Sequence, residues 1–418
     1  MKKPPPVTRK SDGINRQLAY VEVASSELTR DINRDIVLER IRALQPIARI
    51  DLARVSGLQP STVSSIVEQL VEEGWIREGA VVLTARGRRP TMLSLNDELM
   101  ILTADVRPSQ AVIAVVDLNG RFLSRIVVPL SANVEQSVAS MANAMLQLRA
   151  QHSGKRFEGI GLSVQGRVDP ETNRLVLAPN FKWRDYDIRG ELVRRVGLPV
   201  ELENDANACL LSELWFGHVD GIRHAALVAI SEGVGASILS AGRLVTGRNG
   251  LAGEFGHIVI DPHGPLCGCG KHGCWEVFAS SRAALRYYAE FERKAAKISI
   301  GELISLALAG DRSARRALEK QSVAIGKGLR MLTAALSPEV ILFAGDITTS
   351  WSICADVIRR ECAAHLLAGT APRLISIGDG ELALLRGAAA VVLQRNSGYY
   401  RSAHRKTEPR TRNVAVAK

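Results

Sequence analysis

The stretch from Gly253 to Glu276 constrains this chain more than any other. It reads Gly253-Glu254-Phe255-Gly256-His257, and later Cys267-Gly268-Cys269-Gly270-Lys271-His272-Gly273-Cys274-Trp275-Glu276. Nine residues separate His257 from Cys267, one separates Cys267 from Cys269, and four separate Cys269 from Cys274. Thiolate plus imidazole is a preferred tetrahedral donor set for a closed structural zinc site. Glycines at 264, 268, 270 and 273 let the backbone turn back so that such ligands converge. Neighbouring cysteines can also pair as disulfides, but the local count is odd and no secretory signal is evident. Unrelated buried thiols are a second alternative, and by spacing alone His263 or His272 can stand in for His257. Glu254 and Glu276 bracket the loop, and two carboxylates held at fixed positions suit the hydroxyls of a polar ligand.

The run Glu254-x-Gly256-His257, followed by Cys-x-Cys-Gly-x-x-Gly-Cys-x-Glu, resembles the signature of the ROK family of repressors and sugar kinases. The resemblance implies that His257, Cys267, Cys269 and Cys274 bind Zn2+. It also implies that His257, with Glu254 and Glu276, contacts a sugar. Whether the chain is a kinase or a repressor has to be argued from its other segments.

A length of 418 residues predicts two or three domains, and 46% hydrophobic residues can build a sizeable core. No apolar run is long enough to span a bilayer, so the expectation is a soluble cytoplasmic protein with reduced thiols. Cys209, Cys354 and Cys362 are expected to be buried thiols. The formal net charge of +11 favours a polyanionic partner. Part of it lies in a basic tail over 395–418, with seven Lys or Arg against one Glu.

A flexible basic arm is expected over 1–26 and a winged helix-turn-helix over 27–91. From Asp31 the apolar rhythm Ile32, Ile36, Val37, Leu38, Ile41 and Leu44 predicts a helix that Pro46 stops. Ile50–Ser56 predicts a second helix with Leu52 and Val55 inward, and Gly57-Leu58-Gln59-Pro60 is turn chemistry. Ser61–Glu73 predicts a third helix, with Val63, Ile66, Val67 and Leu70 on one face. Two short helices joined by a tight glycine turn describe a helix-turn-helix. The other face of the third helix offers Ser61, Thr62, Ser64, Ser65 and Gln69 to phosphates and base edges. A three-helix packing unit with a Ser/Thr helix cap is the plainer alternative. Val81–Thr84 is expected to form one strand of the wing. Arg86, Arg88 and Arg89, interleaved with Gly87 and followed by Pro90, can enter a narrow minor groove or serve as a solvated linker.

Residues 92–394 are expected to form two lobes, about 92–218 and 219–394. Strands are predicted at Ile101–Val106, Ala111–Val116, Phe122–Val128, Gly159–Val164 and Leu198–Glu203, with a helix at Val134–Gln151. The second lobe is predicted to carry strands near Ala226–Ala229, Ser237–Leu239 and Val340–Ala344, and helices near Ile300–Ala309 and Ser313–Leu336. No internal sequence repeat is apparent. Two similar α/β halves match the actin-like, ribonuclease-H-like fold that the family resemblance implies.

Glu203-Asn204-Asp205 ends a strand and opens a helix. Asp205 can accept a proton from a sugar hydroxyl, and Asn204 can donate and accept. Either residue can instead cap the helix. The resemblance implies that both contact the sugar, Asp205 being the position of the kinases' base; Ala178-Pro179-Asn180 resembles a family segment near the sugar. Three segments depart from the family's kinases. Where those carry Asp-x-Gly-Gly-Thr-Lys, this chain has Asp105-Val106-Arg107-Pro108-Ser109-Gln110, and Pro108 lacks the N–H a phosphate needs. Their Gly-Thr-Gly is here Ser231-Glu232-Gly233-Val234-Gly235, and their Gly-Gly is Ala344-Gly345-Asp346. Both changes place a carboxylate where phosphates lie.

The sequence therefore predicts a sugar-responsive transcriptional regulator, a repressor binding operator DNA as a homodimer or tetramer. Its effector is a monosaccharide or sugar phosphate, and no reaction is expected. The alternative is an ATP-dependent sugar kinase.

Overall fold

The computed structural model describes residues 26–81, 90–170, 172–178, 183–217, 221–292, 298–364, 370–378 and 380–395. Residues 1–25 of the arm expected over 1–26, the wing residues Val82–Thr84, Arg86, Arg88 and Arg89, the pair Pro179-Asn180 and the tail from Asn396 lie outside the described residues. Of the described residues, Ser26–Leu95 with Gln394 and Arg395 fall in one compact unit and Asn96–Leu393 in a second.

The first unit runs α1 (Ser26–Leu44), β1 (Ile47–Ala48), α2 (Arg49–Ser56), α3 (Pro60–Glu72), β2 (Ile76–Val81) and β3 (Thr91–Leu95). Helix α1 starts five residues before Asp31, because helical bonding propagates through a polar first turn that shows no apolar rhythm. Gly57 closes α2 in the left-handed region at φ 69°, its N–H bonded to Ala53 O. On α3, Val63, Ile66, Val67 and Leu70 are all buried. Val55 does not face inward as expected; it is 42% exposed. Leu52 and Ala53 set the buried direction of α2, and position 55 lies roughly 110° around the helix from it. The strands pair antiparallel in the order β1-β3-β2, so α2 and α3 are followed by a two-stranded wing. Strand β3, expected at the start of the two-lobed part, completes this sheet: Leu93 and Leu95 are buried within the first unit.

The second unit begins with β4 (Leu99–Val106), β5 (Gln110–Asp117), β6 (Phe122–Pro129), α4 (Val134–Gln151) and β7 (Arg156–Val164). A small sheet follows, β8 (Arg167–Asp169), β9 (Arg174–Ala178) and β10 (Trp183–Tyr186), then α5 (Ile188–Val196), β11 (Val200–Asn204) and α6 (Asp205–Phe216). The remainder is β12 (Ala225–Ile230), β13 (Val234–Ser240), β14 (Arg243–Leu244), α7 (Glu276–Ala279), α8 (Ser281–Phe291), α9 (Ile300–Leu308), α10 (Arg312–Leu336), β15 (Val340–Gly345), α11 (Trp351–Ala363), β16 (Arg373–Ser376) and α12 (Gly380–Arg395). Two five-stranded sheets result, ordered β6-β5-β4-β7-β11 and β14-β13-β12-β15-β16. In each, three strands form an antiparallel meander and two more add in parallel beside the first. The topology repeats although the sequence does not, which is the two-lobed, actin-like arrangement expected.

One face of the first sheet buries Met100, Leu102, Ile160 and Leu162 against Met141, Met145 and Leu148 of α4 and Leu192 of α5. The outer face of the second sheet buries Val228 and Phe343 against α8, α10 and α11 through Tyr287, Leu318, Ile325 and Ile358. Helix α6 packs Ala206, Cys209 and Leu210 on Leu227, Leu239 and Leu342 of the second sheet. Residues 380–394, assigned to the second lobe, form α12, which packs Ala383 against Leu342 and Ala344 of the second sheet and then reaches the first. A Cβ at Gly161 of β7 would sit 1.8 Å from Ala388 O, so the backbones touch there, and Arg386 Nε donates to Gly120 O at 3.1 Å. Among the described residues, no helix is long and apolar enough to cross a membrane.

Candidate functional site

A short 3-10 turn, Glu254–His257, leads into a hairpin held by bridges Val259–Cys274 and Leu266–His272. Cys267 N donates to Lys271 O at 2.8 Å and Gly270 N to Cys267 O at 2.9 Å, a tight loop that turns Cys269 toward its neighbours. Gly273 must be glycine: φ is 69°, and a Cβ would fall 1.5 Å from Asp261 O. The donor atoms of His257, Cys267, Cys269 and Cys274 lie within 4.8 Å of one another. His257 Nδ1 is 3.6 Å from Cys267 Sγ, and Cys269 Sγ is 3.6 Å from Cys274 Sγ. All are free thiols, so the disulfide alternative falls. His272 turns away, its Nδ1 3.1 Å from Gly264 O, and His263 is not in the cluster. Burial beside other thiols pushes Cys274 up to about 12. A bound dication reverses that preference by stabilising the thiolate.

The carboxylates flank this cluster. Glu254 Oε2 lies 3.9 Å from His257 Nε2, so the ring faces thiols on one edge and a 55% exposed carboxylate on the other. Glu276 opens α7 and is 14% exposed on its side chain. Its Oε2 accepts from Val234 N at 3.1 Å, and Arg282 lies 3.6 Å from Oε1. Trp275 anchors the loop: it is fully buried and its Nε1 donates to Ala324 O of α10 at 2.9 Å.

Strand β13 links this loop to the residues ending β11. Beyond Val234, Ser237 Oγ donates to Ala206 O at 3.0 Å, in the first turn of α6. Asn204 caps that helix, accepting from Ala206 N at 2.9 Å and Asn207 N at 3.4 Å, while its Nδ2 donates to Gly166 O at 2.9 Å. Capping is thus what Asn204 does here, and its side chain also bonds the neighbouring Asp205 carboxyl. Asp205 accepts from Ala206 N, and burial, with Asp105 nearby, pushes its pKa up to about 6. Burial also raises Glu203, which accepts from Asn204 N and Asn207 Nδ2, both at 2.9 Å.

The three segments that depart from the family's kinases are engaged in hydrogen bonds within the protein. Arg107 N donates to Gln110 O at 2.9 Å and Arg107 Nε to Asp105 Oδ2 at 2.7 Å. Ser231 N donates to Gly233 O at 3.0 Å, and Glu232 O accepts from Arg282 Nε at 2.6 Å. Asp346 Oδ2 accepts from Ser281 Oγ at 2.7 Å. The sequence reading assigned no role to Glu203, Ser281 or Arg282: the partners of Ser281 and Arg282 are 65 and 50 residues away, and Glu203 bonds Asn207 within one helical turn of polar residues carrying no signal.

In the first unit, Ser61 and Ser65 of α3 are exposed, and Thr62 and Ser64 half-buried. The N-cap residue Gln59 makes no side-chain cap and Pro60 is at N1, so the first N–H groups of α3 remain open to an anion. Gln69 is engaged within the unit: Oε1 accepts from Arg30 at 2.9 Å and Nε2 donates to Glu73 at 2.7 Å.

A ROK family model matches residues 104–395. The xylose repressor of Bacillus spizizenii is 29% identical over 380 residues, covering 90% of this chain and 98% of the repressor. A solved ROK family transcriptional regulator, a homologue of the E. coli MLC protein, superposes with a TM-score of 0.79 at 26% identity, covering 91% of this chain and 100% of that one. A ROK family glucokinase from Streptomyces griseus, solved with glucose and AMPPNP, gives a TM-score of 0.63 at 28% identity, over 71% of this chain and 99% of its own.

Proposed function

We propose, from the premise that this chain belongs to the ROK family, that it is a sugar-responsive DNA-binding transcriptional regulator, a repressor released or retained according to the sugar it holds. The observation that carries this is the turn between β4 and β5. A kinase needs open N–H groups there, and here Arg107 closes the turn and pairs with Asp105.

The sugar is held by Asn204, Asp205, Glu254, His257 and Glu276: carboxylates accept hydrogen bonds from its hydroxyls, and the Asn204 amide can donate or accept beside them. His257, Cys267, Cys269 and Cys274 hold Zn2+. A tetrahedral zinc with ordinary bond lengths has ligand–ligand edges of about 3.6–3.8 Å, close to the 3.6 Å separations present. The ion supplies a rigid crosslink between the His257 turn and the cysteine hairpin. Ser61, Thr62, Ser64 and Ser65 meet DNA, with Gln69 as a support for the helix, and Arg86, Arg88 and Arg89 add backbone or minor-groove contact. The chain works in the cytoplasm as a homodimer or tetramer, which pairs recognition helices across an operator.

Fluorescence anisotropy of the purified chain on its own promoter DNA, with and without a panel of monosaccharides, tests this. Operator binding at nanomolar to micromolar concentration, changed at least fivefold by one sugar, is expected. Absence of specific DNA binding overturns it. The Asp205 carboxyl at about 6 and the glucokinase relative favour a second reading, an ATP-dependent sugar kinase. Sugar-dependent ADP release in a coupled assay would establish that instead.

A further inference from the structure

We propose that Cys269 is a site of reversible oxidation: hydrogen peroxide joins it to Cys274 in a disulfide, which dismantles the zinc clasp between the cysteine hairpin and His257. This rests on the zinc-binding reading above and goes beyond it.

The donors of the cluster are not equally protected. Cys267 is 3% exposed and Cys274 fully buried, whereas Cys269 is exposed. Cys269 lies between Gly268 and Gly270, and a Cβ added at either glycine would meet nothing within 4 Å. The hairpin tip is therefore open on both sides of this residue. A site that served only to staple the loop would gain by shielding every sulfur, because oxidants attack the thiolate that solvent can reach. The second sulfur of the proposed pair is already in place. Cys274 Sγ lies 3.6 Å from Cys269 Sγ, and a disulfide bond is about 2.05 Å, so closure takes roughly 1.5 Å of movement. The Cys269 side can supply it, since its side chain is not packed in the core. The Cys274 side is held by its bridge to Val259 and by the fully buried Trp275 that follows.

The chemistry needs one peroxide per disulfide. Zinc, when bound, keeps the sulfurs as thiolates. The Cys269 thiolate attacks one peroxide oxygen; the S–O bond forms, the O–O bond breaks, and the leaving hydroxide is protonated to water. The Cys274 sulfur then attacks the Cys269 sulfenic sulfur; the S–S bond forms, the S–O bond breaks, and hydroxide leaves with a proton as a second water. Sulfur is oxidised and peroxide reduced, two electrons each. His257 and Cys267 remain as donors, too few for a tetrahedral site. The crosslink is lost, and His257, a proposed sugar contact, is no longer tied to the hairpin. A dithiol reductant restores both thiols.

The full-length, reduced, zinc-loaded chain is treated with hydrogen peroxide up to about a tenfold excess. Zinc release is followed with a chromogenic chelator, and disulfides are mapped by mass spectrometry after alkylation. About one zinc per chain is expected to leave in step with a Cys269–Cys274 disulfide, with Cys209, Cys354 and Cys362, all buried, still reduced. The melting temperature is expected to fall with the zinc and to recover after dithiothreitol and added zinc. A reduced chain that carries no zinc overturns the zinc reading and this proposal with it. Zinc that stays bound under peroxide overturns this proposal alone. So does zinc released with a different disulfide, with a sulfinic acid and no disulfide, or after oxidation of the buried cysteines. An unchanged melting temperature after zinc release would show that no clasp was lost.

Discussion

Asp205 shows how a single side chain can oppose folding and serve binding. Its pKa rises from the ordinary 3.8 to about 6, burial being the main cause. A carboxyl that resists ionisation in the native chain subtracts up to about 3 kcal/mol from stability above pH 6, and nothing below about pH 4. Asp205→Asn should therefore raise Tm at pH 7.5, with the gain disappearing at pH 4, and should weaken sugar binding at least tenfold. Unchanged Tm at both pH values would show that the carboxyl carries no such penalty. Sugar affinity of the native chain should fall as pH drops through 6, because the protonated carboxyl loses one acceptor. In the proposed zinc loop, Cys269 is the exposed cysteine of the cluster, so Cys269→Ser is the substitution least confounded by core packing. Metal analysis should find about one zinc per native chain and under a tenth of that in the variant, with sugar-dependent DNA release lost. Full zinc content with normal release would count against the ligand set.

Between elements, the first unit depends on one buried arginine. Arg34 of α1 is 3% exposed, donates to Glu73 just past α3, and sits 5.9 Å from the centre of the Trp75 ring. It fixes α3 against α1, with Arg30 and Gln69 extending the same contact outward. Arg34→Ala should cost the unit about 2–3 kcal/mol and lower operator affinity, while the sugar-induced shift of the main melting transition is retained. Loss of both readouts together would mean the damage is global. The same scale shows what the sequence could and could not reveal. Helix α4 and strand β4 were legible because a periodic face, or a mostly apolar run of strand length, is a local signal. The three small strands β8–β10 and strand β16 are short and carry little alternation, so nothing local announces them. The contact of α12 with β7 was not legible because it depends on Gly161, whose missing side chain is no signal until the partner backbone is known. In the site, the His257, Cys267, Cys269 and Cys274 cluster was legible because its members are close in sequence. The Glu276–Val234 and Asp346–Ser281 contacts were not, since each joins segments far apart in the chain.

For the molecule as a whole, charge and linkage set the expectations. A net charge of +11 makes DNA binding a counterion-release process, so log affinity should fall linearly with log salt. Replacing Arg88 and Arg89 with Ala should flatten that slope by about two. Sugar binding by an uncharged effector should show almost no salt dependence. The two activities are tied by thermodynamics irrespective of the route between them. If a sugar lowers operator affinity by about 30-fold, saturating operator must lower sugar affinity by the same factor, a coupling of about 2 kcal/mol. The sugar can act only through a difference in its affinity for two conformations of the chain, so a sugar that binds both equally leaves DNA binding untouched however tightly it is held. Calorimetric titration of the sugar into the free chain and into its operator complex measures the second half of that cycle. Equal sugar affinities in the two titrations, alongside sugar-driven release of DNA, would violate the linkage and show that release comes from a second site or a contaminating ligand.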